Sequence, residues 1–243
     1  MKVICDISVT SAPMRSWSWS PAALFAGGAL GAWYDPSNLS SLFQDLAMTI
    51  PVTLTGQTVA VMLDSSGNAK HLTQPNVAQR PTYRSNGSVR WLEFDGVDDR
   101  FVFNAMSYSQ PSLGAVLGVA YATPSTSVGV LRGVNNTSPS CFAGYSLEIS
   151  TGEVNTNAGN PVLMVDGAAA PNDRKALRAM LNSPVVFSGV NISTAQLTGR
   201  IMSTYGYLTF AAPAGKFYGY IEKELMDTEV EALARQWLSK KME

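Results

Sequence analysis

Charged residues are scarce in this chain of 243 residues. Asp, Glu, Lys and Arg make up 14% of it, against about 25% in an average soluble domain. The formal net charge is −1, and the Lys and Arg residues are scattered without a basic run. The electrostatic footprint of a nucleic-acid-binding protein is therefore missing, and we expect no nucleic-acid partner.

Cysteine and histidine are almost absent. Cys5 and Cys141 stand far apart, without a C-x-x-C pair or a His-rich segment, so neither a disulfide framework nor a zinc site is expected. We interpret both as buried thiols. His71 is the one histidine, and no G-x-S-x-G motif accompanies it, so it is interpreted as a polar loop residue and not as the base of a Ser-His-Asp triad.

Long hydrophobic runs are also missing. The opening "MKVICDISVTSAPMRSW" has neither the charged start and apolar core of a signal peptide nor a small-residue cleavage site. The stretch "PAALFAGGALGAWY" is too short to cross a bilayer and contains three glycines. We therefore expect no membrane partner, and synthesis and folding in the cytoplasm.

Short extended runs separated by turn residues make up most of the chain. They include "TVAVMLD", "VRWLEF", "GAVLGVAYA", "PVLMVDG", "SPVVFSGVNI" and "KFYGYIE". About a dozen such runs at regular spacing are typical of an all-β sandwich or barrel. Alternating strand and helix units are absent, which argues against a parallel α/β sheet. One exception is "SNLSSLFQD", whose spacing of Leu39, Leu42 and Phe43 predicts a short surface helix.

The C-terminal segment carries the clearest helical pattern. Its apolar residues fall on one stripe of a helix, at positions i, i+3, i+4, i+7 and i+8: Val230, Leu233, Ala234, Trp237 and Leu238. Thr228 and Glu231 have the spacing of a capping box. We expect this helix to lay Trp237 on a sheet.

No internal repeat or Gly/Ser-rich linker divides the chain, so we expect one domain. The predicted organisation is an N-terminal contact arm over residues 1–28 and a β-sandwich over residues 29–243. The arm would contain a strand, "KVICDISV", and a short helix, "SPAALFAGG", with Ser20 as its N-cap and Pro21 at its first position.

The acidic segment "WLEFDGVDDRFVF" admits two interpretations. Asp95, Asp98 and Asp99 could supply about half of the six to eight oxygens that a calcium ion needs, and the loop "LDSSGN", residues 64–68 with the preceding Leu, could complete such a site. Alternatively, Asp95 and Gly96 begin a hairpin loop in which the Asp side chains bind nearby backbone N–H groups. The hairpin is favoured, and calcium is the one cofactor that the sequence leaves open.

Four stretches resemble a known family. The segments "AWYDPSNLSSLFQD", "TVAVMLDSSGNAKHLTQPNVAQRPTYR" and "WLEFDGVDDRFVF" are similar to the opening of a laminin-G-like, concanavalin-A-like jelly roll of the kind found in bacteriophage structural proteins. The closing "KFYGYIEKELMDTEVEALARQWLSKK" resembles the end of that domain. The resemblance spans residues 29 to 241 and is strongest at its two ends. It implies two packed antiparallel sheets, usually without catalysis, and a fold that hosts lectins, glycanases and scaffolds alike.

A glycanase would need two neighbouring carboxylates. In jelly-roll glycanases these alternate along one strand face in an E-x-D-x-E-like pattern, and we find no such pattern here. Glu148 and Glu153 are single acids that a hairpin could bring together, and we interpret them as surface acids.

Aromatic residues are the remaining binding candidates. Trp17 and Trp19 in "SWSWSP" point to one side of an extended segment and, with Phe25, are expected to anchor the arm on another subunit. Tyr108, Tyr205 and Tyr207 are candidates for stacking on a sugar. The remaining tryptophans, Trp33, Trp91 and Trp237, lie on patterned elements and are expected in the core.

The leading expectation is a non-enzymatic bacteriophage virion component, either a capsid decoration or a tail-associated protein, held on the particle by its N-terminal arm. Its partners would be other virion proteins, and homo-oligomerisation is expected although no coiled coil sets a number. The alternative is a carbohydrate-binding adhesin that recognises host surface glycans, and a glycan hydrolase is the weakest of the three.

Overall fold

A computed structural model describes residues 19–101, 108–122, 132–133, 162–194, 200–201 and 214–243. The strands in chain order are β1 (Gly31–Tyr34), β2 (Leu42–Phe43), β3 (Val61–Met62), β4 (Leu72–Thr73), β5 (Thr82–Ser85), β6 (Arg90–Phe94), β7 (Ser112–Tyr121), β8 (Arg132–Gly133), β9 (Val162–Val165), β10 (Ala168–Ala169), β11 (Val185–Ser193), β12 (Arg200–Ile201) and β13 (Gly215–Glu224). The helices are α1 (Ala22–Phe25), α2 (Arg174–Met180) and α3 (Thr228–Ser239), with 3₁₀ turns at Leu39–Ser41 and Val77–Gln79.

Eight strands form one large antiparallel sheet, in the order β10-β9-β11-β7-β13-β6-β5, with β1 also paired to β13. The centre of this sheet is β7 and β13, which pair along almost their whole length. Nine of the ten residues of β7 are buried, because the sheet is covered on both faces there. This is why "GAVLGVAYA" is a continuous apolar run instead of an alternating one.

A three-stranded sheet, ordered β2-β3-β4, packs on the inner face of the large sheet. Its Leu42, Met62 and Leu72 join one core cluster with Leu117 and Val119 of β7. Two β layers therefore enclose the main core, and the expectation of an antiparallel β protein with a C-terminal helix is confirmed.

Helix α3 covers the outer face of the large sheet. Its buried Ala234 and Leu238 pack with Val116, Val186 and Ile221, which point outward from β7, β11 and β13. Trp237 lies edge-on against Trp33 of β1, with ring centroids 5.6 Å apart. The predicted capping box does not form as expected: the N-cap is Asp227, whose carboxylate accepts a hydrogen bond from the backbone N–H of Val230.

The outer edge of β1 is closed by a loop instead of a strand. The Oδ1 atom of Asp64 accepts the backbone N–H of Trp33 at 2.9 Å, and the Nδ2 of Asn68 donates to the carbonyl of Gly31 at 2.9 Å. The backbone N–H of Ser65 donates to the carbonyl of Trp33. The "LDSSGN" loop thus satisfies the backbone groups that an edge strand would leave open.

Part of the predicted arm belongs to the fold. The short helix predicted in "SPAALFAGG" forms as the single turn α1, and its Leu24 and Phe25 are buried in the cluster under α3. Residues 1–18, including the predicted first strand and Trp17, lie outside the described residues.

One other local prediction was wrong, and one helix was missed. The surface helix predicted in "SNLSSLFQD" is only a 3₁₀ turn, because Leu42 is fully buried as part of β2. Helix α2 was not predicted, although Asp173 caps its first turn through a 2.8 Å hydrogen bond from the N–H of Ala176. Across the described ranges, no helix combines the length and the apolar character that crossing a membrane requires.

Candidate functional site

The acidic turn at residues 95–99 is held by its own carboxylates. The Oδ1 atom of Asp95 accepts the backbone N–H groups of Val97 at 2.8 Å and Asp98 at 3.3 Å. In return, the Oδ2 atom of Asp99 accepts the N–H of Asp95 at 3.0 Å. This part of the prediction, Asp side chains bonded to backbone groups of the loop, is confirmed.

The turn is not the corner of a hairpin, and that prediction was wrong. Both edges of β6 are occupied, by β5 on one side and by β13 on the other. The chain after the turn instead crosses toward the second layer, where the N–H of Arg100 donates to the carbonyl of Gln79 and the buried Phe101 packs edge-on against Phe94. The pairing with β13 involves residues more than 100 positions away, which a local pattern does not reveal.

Gly96 allows the acidic turn to pack closely against Ala214, the residue before β13. Its φ angle is 78°, and a Cβ atom added there would lie 2.7 Å from the Cβ and the backbone N of Ala214. Both the left-handed backbone and the close approach favour glycine at this position. The acidic turn is therefore pressed against the strand that forms the centre of the sheet.

The three carboxylates of the turn lie close together. Asp95, Asp98 and Asp99 each offer an oxygen, and these atoms all lie within 4.8 Å of one another. Asp99 is only 5% exposed. Its burial raises the pKa of the Asp99 carboxyl to about 7, the hydrogen bond from the Asp95 N–H opposes this shift, and the charges of Asp95 and Asp98 add to it.

The arrangement is an incomplete calcium site. Calcium prefers six to eight oxygens, and the turn offers three carboxylates, two of which already accept backbone N–H groups. The second loop that could have completed the site does not reach it. Asp64 lies beside Trp33, which pairs with Ile221, whereas the turn lies beside Ala214, and this separation of seven residues along β13 is roughly 20 Å.

The acidic turn forms one end of an open cleft of about 520 Å³ at the edge of the large sheet. The cleft joins five separate segments, because the ends of β6 and β7 and the starts of β5, β11 and β13 meet there. Its polar and aromatic lining comes from Thr82, Arg84, Glu93, Phe94, Asp95, Asp99, Tyr121, Asn182 and Lys216.

The charged wall of the cleft is fixed by contacts on the outer face of the sheet. The Nε atom of Arg84 lies 2.6 Å from Oε2 of Glu93 on the neighbouring strand. The Nζ atom of Lys216 lies 4.7 Å from the ring centroid of Trp91. On the opposite side of the sheet, the buried hydroxyl of Tyr121 has no hydrogen-bond partner within the described part of the chain, and its burial raises the pKa of that hydroxyl. The wall thus offers charged groups, whereas the ring of Tyr121 is almost fully buried.

A pair of alternating acids escaped the sequence analysis. Glu222 and Glu224 stand two residues apart in β13, so both point to the inner face of the sheet. Glu222 accepts the hydroxyls of Tyr108 and of Tyr220, the latter at 2.7 Å. Glu224 accepts hydrogen bonds from the hydroxyl of Ser109 and from the backbone N–H of Gln110, both at 3.0 Å. The two acids therefore hold residues 108–110 against β13. The period-2 pattern of "YIEKE" could have revealed them.

The other candidate residues differ in their burial and in their contacts. Trp19 is half-buried against the cluster under α3, and Phe25 is buried in it, so Phe25 faces this chain's own core. The hydroxyl of Tyr108 donates to a buried acid, and the ring is half-buried. The Nδ1 atom of His71 accepts the N–H of Asp64 at 3.1 Å, a structural contact. Five candidates lie outside the described residues: Trp17, Glu148, Glu153, Tyr205 and Tyr207.

No family model, no curated protein and no solved structure matches this chain. The function of the cleft and of the surfaces around it has to be inferred from their geometry.

Proposed function

We propose that this chain is a non-enzymatic structural component of a bacteriophage virion, a capsid decoration or tail-associated protein built on a laminin-G-like jelly roll. The observation that carries the proposal is that the buried acids make structural hydrogen bonds. Five of them, Asp35, Asp64, Glu222, Glu224 and Glu231, each accept hydrogen bonds that join separate parts of the fold.

A catalytic carboxylate needs access to substrate and a tuned proton affinity. Instead, Glu231 of α3 accepts a hydrogen bond from the hydroxyl of Ser188 at 2.6 Å, and this bond fastens the helix to β11. Asp35, which follows β1, accepts a hydrogen bond from the Nζ of Lys241 at 3.0 Å. This bond fastens the segment after α3 to β1. These five acids therefore support the scaffold, as expected for a protein whose task is to present surfaces, whereas the sixth buried acid of the described residues, Asp99, lines the cleft and accepts a hydrogen bond from the N–H of Asp95.

The N-terminal arm is the proposed attachment to the particle. It joins the fold at Trp19, which packs in the cluster under α3, so residues 1–18 start from the outer face of the large sheet. Other virion proteins are the proposed partners, and the virion is the proposed location.

The test is incorporation into particles. Virions assembled with the full chain should contain it, and virions assembled with a chain lacking residues 1–18 should not. The truncation should end at residue 18, because removal of residues 1–28 also removes the buried Leu24 and Phe25 and would unfold the outer face. Circular dichroism of the truncated chain checks that it is folded. Particles that retain the folded truncated chain would contradict attachment by the arm.

The second candidate, a carbohydrate-binding adhesin, is favoured by the cleft at the sheet edge. A cleft with carboxylates, a guanidinium and an amide has groups that bind sugar hydroxyls. Glycan-array binding should then be lost in Arg84→Ala and kept in Arg90→Ala, since Arg90 lies on the same hairpin but outside the cleft lining. An array without binding, or equal binding by both variants, would remove this candidate.

A further inference from the structure

Exposed apolar side chains are concentrated on one side of the small sheet. Ten large hydrophobic residues are exposed among the described residues. Five of them lie on two loops that flank β2 and β4, and we call this set the contact ridge: Leu46, Met48, Ile50, Leu54 and Val77. Apolar patches of this kind on soluble proteins usually mark interaction sites.

The two loops of the contact ridge are held together by Arg80. Its Nη1 atom donates to the carbonyl of Gln44 at 3.0 Å, at the base of the first loop. Its Nε and Nη2 atoms donate to the carbonyls of Gln74 and Pro75, in the second loop. Arg80 therefore joins the two loops that carry the contact ridge.

Asp45 makes the tip of the first loop rigid. Its carboxylate accepts the backbone N–H groups of Ile50 at 2.8 Å and Thr49 at 3.0 Å, as well as the hydroxyl of Thr49. The bond from Ile50 is the main cause of the lowered pKa of Asp45. Both Asp45 and Arg80 thus use their charged groups to bind the backbone of the two loops.

The N-terminal arm has the complementary pattern. In "KVICDISV" the odd positions are all apolar, Val3, Cys5, Ile7 and Val9, which places them on one side of the predicted strand. Residues 1–18 extended would reach up to about 60 Å. The arm therefore offers an apolar stripe long enough to cover the contact ridge.

We propose that the contact ridge binds residues 1–18 of a neighbouring copy of this chain. The arm starts from the outer face, at Trp19, whereas the ridge lies beyond the inner face, on the small sheet. Contact between different surfaces of two copies is heterologous and builds rings or filaments, which suits a repeated particle protein. The inference rests on the proposed function, and it names the partner of the arm.

The unaltered chain and three variants of it test the inference by light scattering after size-exclusion chromatography. The unaltered chain should give a mass several times the 26.0 kDa of one chain. A ridge variant, Leu46→Ser with Ile50→Ser, and an arm variant, Ile7→Asp with Val9→Asp, should both give the mass of one chain. The matched control, Val162→Ser with Met180→Ser, changes two exposed apolar residues on β9 and α2 and should keep the high mass.

A direct measurement uses a fluorescent peptide of residues 1–18. It should bind saturably to the arm variant, whose ridge is intact, and at least tenfold more weakly to a chain that carries both sets of changes. A monomeric unaltered chain, or a ridge variant that keeps the high mass, would overturn the inference. If the ridge variant keeps its mass while deletion of residues 1–18 still removes the protein from virions, only the inference fails and the proposed function stands.

Discussion

The Nζ atom of Lys241 lies 3.0 Å from the Oδ2 atom of Asp35, although 206 residues separate them in the chain. The same ammonium lies 2.7 Å from the Oγ of Ser37 and 4.4 Å from the ring centroid of Trp237. One lysine therefore fastens the segment after α3 to the end of β1, and it does so beside a carboxylate that is almost wholly buried.

Lys241→Met should lower the free energy of unfolding by about 1 to 3 kcal/mol, because the substitution leaves the buried carboxylate of Asp35 without its cation. Urea denaturation followed by tryptophan fluorescence measures this loss. Lys240→Met is the matched control, since Lys240 is exposed at the neighbouring position, and it should change stability by less than about 0.5 kcal/mol. Equal effects of the two substitutions would contradict the role of the ion pair.

Asp99→Asn should remove a pH dependence of stability between pH 4 and 7. The folded protein binds the proton of Asp99 more tightly than the unfolded chain does, because the pKa is raised from 3.8 to about 7. The contribution of this group is therefore most favourable below pH 4 and is lost as the pH rises through 7. The Asn side chain keeps an acceptor for the Asp95 N–H, so the variant should be more stable than the unaltered chain at pH 8 and show no such gain at pH 4.

Asp98→Asn is the control for that measurement, since Asp98 is more exposed than Asp99. Urea denaturation at pH 4, 6 and 8 should show most of the original slope in this variant. A stability difference between Asp99→Asn and the unaltered chain that is the same at all three pH values would show that Asp99 does not titrate in this range.

Calcium should leave the melting temperature unchanged. The acidic turn offers three carboxylate oxygens within 4.8 Å, about half of the ligands that the ion prefers, and backbone N–H groups already occupy two of the carboxylates. Melting curves in excess EDTA and in about 1 mM calcium, the range of weak extracellular sites, should superimpose. A rise in melting temperature with calcium that disappears in Asp98→Asn would reverse this interpretation of the turn.

Gly96→Ala should destabilise the protein by about 2 to 4 kcal/mol, because the new Cβ atom has to adopt a left-handed backbone and also meets Ala214 at 2.7 Å. Gly87→Ala is the matched control: its φ angle of 106° imposes a backbone cost too, but nothing lies within 4 Å of the added atom. Thermal melting of the two variants should therefore show the larger loss at Gly96. Equal losses would mean that the contact of the new Cβ atom with Ala214 does not lower the stability of the protein.

The sequence predicted best those elements whose signal is local. The apolar period of α3 and the unbroken apolar run of β7 are consequences of which faces are covered, and both elements form where they were expected. The predicted N-cap of α3, Thr228, was wrong by one residue, since the N-cap is Asp227. Both residue types are good caps, and only the geometry of the turn distinguishes them.

Long-range pairing could not be predicted in the same way. Whether β6 pairs with the segment after residue 99 or with β5 and β13 depends on contacts across the whole sheet. The cleft is a further case, because Arg84, Tyr121, Asn182 and Lys216 come from four segments that only the sheet order brings together. A local pattern of Asp and Gly residues therefore revealed the turn but not its neighbours.

The loop at residues 64–68 has a consequence for assembly. At high protein concentration, an open strand edge can recruit identical edges into cross-β aggregates. Asp64 and Asn68 occupy the backbone groups of β1 that would start this process. That part of the sheet is therefore closed to pairing with strands of other molecules.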